Sequence, residues 1–379
     1  MPRKKRLCGF NFGNWLSQSS LKPPHIDKFY SEKDVALLSE WGFNFVRLPV
    51  DYMFFENDEN PGIYDEKNLA YVDRAISWCE KYDVHLNLDM HELPGYGISQ
   101  VARDQTYKPP LWDNEELLKR SENIWRMFAK RYCSKGEFLS FNLINEPIAE
   151  MALYKRFVER MIDAIRQIDN DRIIFIDGCD VSRTPVQNLK YKNIWQSFHM
   201  YEPMWVTHYG ASWFPAGYIY ESGCYIYNEP ALYPGVPPRM EKYLDRLPSD
   251  RHLSWLHPRD QTLVRHLRDF FSKYAGKKID RNWLENWMMP WFNFTEKSDT
   301  PIHCGELGVY ALRIERNSQL NWYRDVLEVL KKHNVGWALW NFRGPFGPIN
   351  DGRPDFPKER LAGDDYFDPE LLKMLQNAL

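Results

Sequence analysis

Short apolar runs rich in β-branched and aromatic residues alternate along this chain with longer segments whose apolar residues recur every three or four positions. Runs of the first kind are typical of buried strands, and the spaced pattern is typical of amphipathic helices. The runs predict eight strands, at residues 7–12, 43–50, 84–90, 138–144, 173–177, 194–200, 302–305 and 336–342. The spaced segments predict helices at residues 33–41, 68–82, 114–132, 151–168 and 317–333.

Eight strands, each followed by a helix, predict an α/β protein with a parallel sheet that closes into a single (β/α)₈ barrel, the TIM barrel. A doubly wound open sheet is the alternative, but it would carry a glycine-rich phosphate-binding turn after an early strand, and residues 9–13 (GFNFG) do not fit one. A long insertion at residues 204–278 follows the sixth strand, where it would lie over the catalytic face. Because no Ser/Gly-rich linker sets it apart, residues 1–379 are interpreted as one domain.

The net charge and the cysteines indicate which partners and which cellular compartment to expect. The formal net charge of −3 gives no electrostatic reason to expect nucleic acid or an anionic membrane as a partner. No apolar stretch reaches the roughly 20 residues of a membrane-spanning helix, and the first residues lack the apolar segment of a signal peptide. Six cysteines are scattered without metal-ligand spacing, as is typical of free thiols in a reduced compartment. We therefore expect a cytoplasmic protein, and the sequence predicts no particular oligomeric state.

Aromatic residues make up 16% of the chain, with 15 Trp, 22 Tyr and 22 Phe. Ordinary core packing accounts for many of them. The apolar C–H faces of sugars also stack well on aromatic rings, so a carbohydrate cleft is a second explanation.

Polar residues follow the apolar runs at the predicted carboxyl ends of the strands, where barrel enzymes place their reactive groups. Glu146 follows the fourth strand and Glu306 the seventh, on opposite sides of the barrel mouth. Hydrolysis of a glycoside needs such a pair, with one proton donor for the leaving oxygen and one group facing the anomeric carbon. Four other acids at the mouth are weaker candidates for the same chemistry: Glu92, Asp177, Asp180 and Glu202.

The strand ends resemble those of glycoside hydrolase family five over nearly the whole chain. The matching motifs are Phe45-Val46-Arg47-Leu48-Pro49, Met90-His91 with Pro94-Gly95, Asn145-Glu146-Pro147, the pair His199 and Tyr201, Glu306, and Trp340. The resemblance implies retention of the anomeric configuration, no metal and no organic cofactor. It also implies Glu146 as general acid/base and Glu306 as nucleophile. The insertion after the sixth strand is the clearest departure from the family pattern.

The resemblance also implies roles for the residues around the pair. Arg47 and Tyr201 are expected to donate hydrogen bonds to Glu306 and keep it ionised. His199 is expected to orient Glu146, whose pKa a dry setting and the anionic Glu306 should raise.

The remaining matches are expected to bind the sugar. Asn145 would hold the 2-hydroxyl, His91 another hydroxyl, and Trp340 the floor of the reactive subsite. Retention further predicts a carboxyl separation of about 5–5.5 Å.

The substrate is expected to be an oligosaccharide with β-1,4-linked hexoses. The lack of an export signal and the insertion, which would wall one end of the cleft, favour exo-action on short oligosaccharides, with β-mannosides preferred. An endo-β-1,4-glucanase or an endo-β-mannanase is the alternative.

Two further hypotheses come from other classes of protein. One is a non-catalytic sugar-binding barrel, which two intact glutamates argue against. The other is a metal-dependent hydrolase that uses His91, His199 and His303. We disfavour it because His199 and His303 are expected on non-adjacent strands, with His303 too early on its strand to reach the mouth.

Overall fold

The computed structural model describes residues 6–103, 107–211, 213, 230–236, 249, 252, 261, 264–265, 268–269, 272–354, 357–361 and 363–379. No helix in this described part combines the length and the apolar character needed to cross a membrane.

Eight parallel strands form a closed barrel. They are β1 (Cys8–Asn11), β2 (Phe45–Asp51), β3 (His85–Leu93), β4 (Leu139–Asn142), β5 (Ile173–Asp177), β6 (Ile194–Met200), β7 (Ile302–Leu307) and β8 (Gly336–Leu339). Each strand pairs with its neighbours in chain order, and β1 pairs with both β2 and β8, which closes the sheet. The predicted (β/α)₈ barrel is therefore confirmed.

Seven helices of nine or more residues surround the barrel in the described part of the chain. They are α1 (Glu32–Glu40), α2 (Glu66–Lys81), α3 (Glu115–Tyr132), α4 (Met151–Arg166), α5 (Arg281–Ser298), α6 (Arg316–Lys332) and α7 (Pro369–Asn377). Side chains at the N-caps of several helices accept hydrogen bonds from the free backbone N–H groups of the first turn, as Asp65 does for α2 and Asn114 for α3. The buried residues of these helices form the core around the barrel, and α7 packs on α6.

The sequence patterns missed three features. β5 is followed by a four-residue helical turn, Cys179–Ser182, instead of a long helix. Helix α5 was not predicted, because its large apolar residues are spread around its circumference and Pro290 lies inside it. Helix α7 was not predicted either. Most of the insertion at 204–278, including Tyr218, Tyr220, Tyr225 and Tyr227 and most of the residues from 249 to 271, lies outside the described residues.

The barrel interior changes from apolar to charged along its axis. Phe45 and Phe175 lie at the amino-terminal end, and the ring of His303 packs 4.6 Å from that of Phe45. His303 Nε2 lies 3.0 Å from the carbonyl oxygen of Leu7, so this histidine is remote from the mouth, as expected. The strands of His199 and His303 are neighbours, however, and the expectation that they are not adjacent was wrong. Arg47 follows Phe45 by two residues, so its side chain lies on the same inner face, nearer the mouth.

Candidate active site

The guanidinium of Arg47 is the centre of the hydrogen-bond network at the mouth. It is 1% exposed, and its Nη1 donates to Glu306 Oε1 at 2.6 Å and to Asn11 Oδ1 at 3.1 Å. Its Nη2 donates to Asn145 Oδ1 at 2.8 Å and lies 3.0 Å from Asp89 Oδ1. One buried cation thus joins β1, β2, β3, β7 and the end of β4.

Glu306, at the end of β7, is 4% exposed and held from two sides. Arg47 contacts one carboxylate oxygen, and the Tyr201 hydroxyl donates to the other at 2.9 Å. His199 Nδ1 lies 3.6 Å from the same oxygen as Tyr201. The two hydrogen bonds expected of Arg47 and Tyr201 are both present, and together they fix the position of the carboxylate.

Glu146 follows β4 and has a left-handed backbone conformation, with φ at 46°. Residues other than glycine rarely adopt it, and such strain is often found at functional sites. Two hydrogen bonds hold it: the Glu146 N–H donates to Asp177 Oδ2 at 3.1 Å, and the Tyr96 hydroxyl donates to the Glu146 carbonyl oxygen. Its side chain reaches His199, whose Nδ1 lies 2.8 Å from Glu146 Oε1.

The two glutamates converge on one place. One carboxylate oxygen of Glu146, one of Glu306 and a ring nitrogen of His199 all lie within 4.8 Å of one another. At least one oxygen of each carboxylate is thus within 4.8 Å of the other, which is nearer to the short separation of about 5–5.5 Å in retaining glycosidases than to the roughly 6.5–9.5 Å of inverting ones.

The pKa values of the two glutamates are shifted by their surroundings, and the shift of Glu146 is opposite to the one expected from the sequence. Burial raises the pKa of Glu306 above its ordinary value, while the charges of His199 and Arg47 oppose the shift. Burial acts in the same direction on Glu146, but the hydrogen bond and charge of His199 outweigh it and lower the pKa of Glu146. The expected rise for Glu146 was therefore wrong, because the sequence does not reveal that its partner is a protonated imidazole.

The charge of His199 follows from its surroundings. Burial alone would lower its pKa, but the carboxylates of Glu306 and Asp177 raise the pKa of His199 to about 10. The surrounding carboxylates therefore favour a proton on the His199–Glu146 pair in the free site.

The three residues expected to bind sugar lie beside this pair. His91 Nδ1 lies 3.0 Å from Asp89 Oδ2, and its ring stacks on Trp340 with centroids 5.5 Å apart. A Cβ on Gly13 would come within 2.9 Å of the Trp340 ring, so only glycine lets the chain pass this close. Asn145 uses its Oδ1 to accept from Arg47.

The other mouth acids differ in their environments. Glu202 is 2% exposed and forms ion pairs with Lys273 at 2.5 Å and Arg183 at 3.4 Å, so it anchors the end of the insertion. Asp180 is exposed on the turn after β5. Glu92 is buried where the short strand Tyr96–Gly97 pairs with β3. Asp177 is fully buried behind His199, 3.2 Å from its Nε2.

Sequence reasoning missed three residues of the network: Asn11, Asp89 and Tyr96. Asn11 and Asp89 contact Arg47 from β1 and β3, and Tyr96 holds the main chain of Glu146. Asn11 ends an otherwise apolar strand, and Asp89 alternates with apolar residues along β3; a polar side chain in a buried strand is the signal that could have identified both.

An aromatic cluster lies next to Tyr201. Its members come from the ends of β6, β7 and β8 and the loops that follow: Tyr201, His208, Trp213, Tyr310 and Phe346. The Trp213 side chain is 53% exposed and meets Tyr310 edge to face at 5.1 Å. An exposed indole at the catalytic face can stack on a sugar ring.

Glu146, His199 and Glu306 also form the one group among the described residues whose donor atoms could surround a metal ion. His303, proposed as a ligand in the metal-dependent alternative, lies at the other end of the barrel and cannot join them.

Known proteins resemble this chain across the residues that form the site. The model of the cellulase family, glycosyl hydrolase family 5, matches residues 12–344. Endoglucanase C from Acetivibrio thermocellus is 31% identical over 342 residues, which cover 89% of this chain and 91% of that protein. Cellodextrinase A from Ruminococcus flavefaciens is 25% identical and covers 87% of this chain and 83% of its own. A crystal structure described as that of a glycoside hydrolase superposes with a TM-score of 0.77 at 28% identity and covers 99% of both chains.

Proposed function

This chain belongs to the cellulase family, glycosyl hydrolase family 5, and from that premise we propose that it is an endo-acting β-1,4-glucanase. It is a glycoside hydrolase, and retention of the anomeric configuration is typical of its family. The observation that carries the proposal is the likeness to Endoglucanase C along almost the full length of both chains. The relatives give no support to the expected exo-action on β-mannosides, and we replace that expectation.

We propose Glu306 as the nucleophile. Its carboxylate oxygen attacks the anomeric carbon, the glycosidic C–O bond breaks, and a glycosyl ester forms. Hydrogen bonds from Arg47 and Tyr201 favour its ionised form and set the direction from which it attacks.

We propose Glu146 as the general acid/base. In the first step the leaving oxygen takes a proton from the His199–Glu146 pair through Glu146, whose side chain is 13% exposed while that of His199 is 1% exposed. Glu306 loses its negative charge as the ester forms, and that charge is a main cause of the high pKa of His199. The pair therefore releases its proton more readily at the moment when the leaving group needs it.

In the second step a water molecule attacks the anomeric carbon and gives its proton to the pair, and the Glu306 carboxylate is released. Asn145, with its Oδ1 engaged by Arg47, presents its NH₂ group to the sugar. His91 and Trp340 form the stacked side of the reactive subsite.

The test uses cellohexaose, mannohexaose, mannobiose and mannosyl-N-acetylglucosamine, with products followed over the first few per cent of reaction. We expect cellohexaose to be cut at internal linkages into cellobiose, cellotriose and cellotetraose, with retention of configuration by NMR. Release of single sugars from one end, or faster cleavage of the mannosides, would contradict the proposal. Glu306→Gln is the inactive control.

A preference for short chains is a second possibility, favoured by the likeness to Cellodextrinase A. The ratio of rates on carboxymethylcellulose and cellotriose separates the two. An endoglucanase attacks the polymer readily, whereas a cellodextrinase acts mainly on the trisaccharide.

The cytoplasmic location stays a proposal. It is supported by three buried free thiols among the described residues, those of Cys79, Cys179 and Cys304. Cell fractionation with an antibody to the native protein tests it, and enzyme in the medium or the envelope would contradict it.

A further inference from the structure

Asp177, the last residue of β5, is a fully buried carboxylate that the proposed reaction does not use directly. One of its oxygens, Oδ2, is the meeting point of four donors. The Glu146 N–H lies 3.1 Å away, Ser182 Oγ 3.2 Å, His199 Nε2 3.2 Å and Arg47 Nη2 3.5 Å.

Each of the two cations beside Asp177 also contacts one of the two glutamates. His199 contacts Glu146 through Nδ1 at 2.8 Å, and Arg47 donates to Glu306 through Nη1 at 2.6 Å. Asp177 contacts the opposite side of both cations. It therefore acts on both halves of the site while lying behind them, away from the reacting atoms.

The contact with His199 is electrostatic. At 3.2 Å the two atoms form an ion pair, but the geometry is not that of an aligned hydrogen bond. An amide at this position could still accept from the Glu146 N–H and from Ser182, but it would carry no charge to hold the imidazolium.

Several other ionisable groups face Asp177 from the surrounding strands and helices. They are Arg47, Tyr96, Glu146, Tyr154, His199 and His303. Burial would raise the pKa of Asp177, but the charges of His199 and Arg47 and the Glu146 N–H lower it far below its usual range. Asp177 is therefore an anion throughout the working range of the enzyme.

We propose that Asp177 is a positioning residue that keeps the catalytic proton on the His199–Glu146 pair and holds the strained main chain of Glu146 in place. The inference rests on Glu146 being the acid/base. A buried negative charge stabilises a proton on any nearby group, so its removal lets the pair lose that proton at lower pH.

Asp177→Asn tests the charge while keeping the shape. We expect the basic limb of the pH profile of kcat/KM on an aryl β-cellobioside to move toward lower pH by about one unit or more, the usual effect of a charge at this distance. A residue with only a structural role would lower the rate or the stability but leave the limb in place. The matched control is Asp180→Asn, which removes an exposed carboxylate three residues along the same loop and should leave the profile unchanged.

If Asp177→Asn folds poorly, the protonation state of His199 in the wild-type protein provides a second test. ¹⁵N NMR of the wild-type protein with labelled histidine, assigned with His199→Asn, should show an imidazolium at pH 7.5. A neutral ring at that pH, or a basic limb that Asp177→Asn leaves in place, would overturn the role of Asp177.

Azide rescue of Glu146→Ala separates this outcome from failure of the proposed function. Azide should restore turnover as a β-glycosyl azide if Glu146 is the acid/base. If azide restores turnover but Asp177→Asn leaves the basic limb in place, only the role of Asp177 is refuted. If azide does not restore turnover, the assignment of Glu146 as acid/base is refuted.

Discussion

The Tyr201 hydroxyl gives the clearest way to perturb the nucleophile without removing it. It donates to Glu306 Oε2 at 2.9 Å, opposite the 2.6 Å contact of Arg47, and Glu306 is 4% exposed. A hydrogen bond to a charged group contributes about 1.5–3 kcal/mol. Since one pKa unit corresponds to about 1.36 kcal/mol, Tyr201→Phe should raise the pKa of Glu306 by about 1–2 units.

The sign follows from which form the hydroxyl stabilises. It stabilises the carboxylate, so its loss favours the protonated, inactive form, and the acidic limb of kcat/KM moves to higher pH. At pH values below the acidic limb the rate should fall about tenfold to a hundredfold, for a shift of this size. Well above the limb the loss should be smaller, because Glu306 is ionised there in both proteins.

The assay is kcat/KM on an aryl β-cellobioside from pH 3 to 9. Tyr132→Phe is the matched control, because the Tyr132 hydroxyl donates to Asp73 Oδ1 at 2.8 Å on the outer helices. If Tyr201→Phe lowers the rate equally at every pH and leaves the acidic limb in place, the reasoning about Glu306 is wrong.

Three further predictions concern the platform, the scaffold and metals. Gly13→Ala should displace the Trp340 ring, since the new Cβ would lie 2.9 Å from it, and should weaken binding of substrate analogues while thermal stability changes little. Arg172→Ala should lower the free energy of unfolding by about 3–5 kcal/mol in denaturant titrations, because it removes a largely buried ion pair and hydrogen bonds to three carbonyls, two of them buried. Exposed Arg324→Ala should not have this effect. Dialysis against a chelator should leave activity unchanged, and a loss restored by one divalent metal would reopen the metal-dependent alternative.

The sequence predicts the barrel because strand and helix periods differ, so the alternation of eight apolar runs with helical segments can be recognised. Strand bounds agree within a few residues, and Ile173–Asp177 and Ile194–Met200 agree fully. Helix α5 escaped prediction since tertiary packing, rather than one apolar face, determines its burial.

The sequence was sufficient to predict which residues form the site, but it did not predict their charges and pKa shifts. Glu146 and Glu306 were found from their place after strands, and Arg47 and Tyr201 from motif matches. The charge of His199 depends on Glu306 first and on Asp177 second, and the strained main chain of Glu146 donates to Asp177. These contacts form only when β4, β5, β6 and β7 close together. Asp177 is the last residue of a predicted strand, but its neighbours in the sequence do not reveal that its side chain lies beside His199 and Arg47.

The central claim is that Glu306 forms the covalent intermediate, with Glu146 opposite it. Incubation with 2,4-dinitrophenyl 2-deoxy-2-fluoro-β-cellobioside, followed by peptide mass spectrometry, tests it most directly. The account predicts time-dependent inactivation with one fluorocellobiosyl group per protein, attached to Glu306. Labelling of any other residue by this reagent would contradict it.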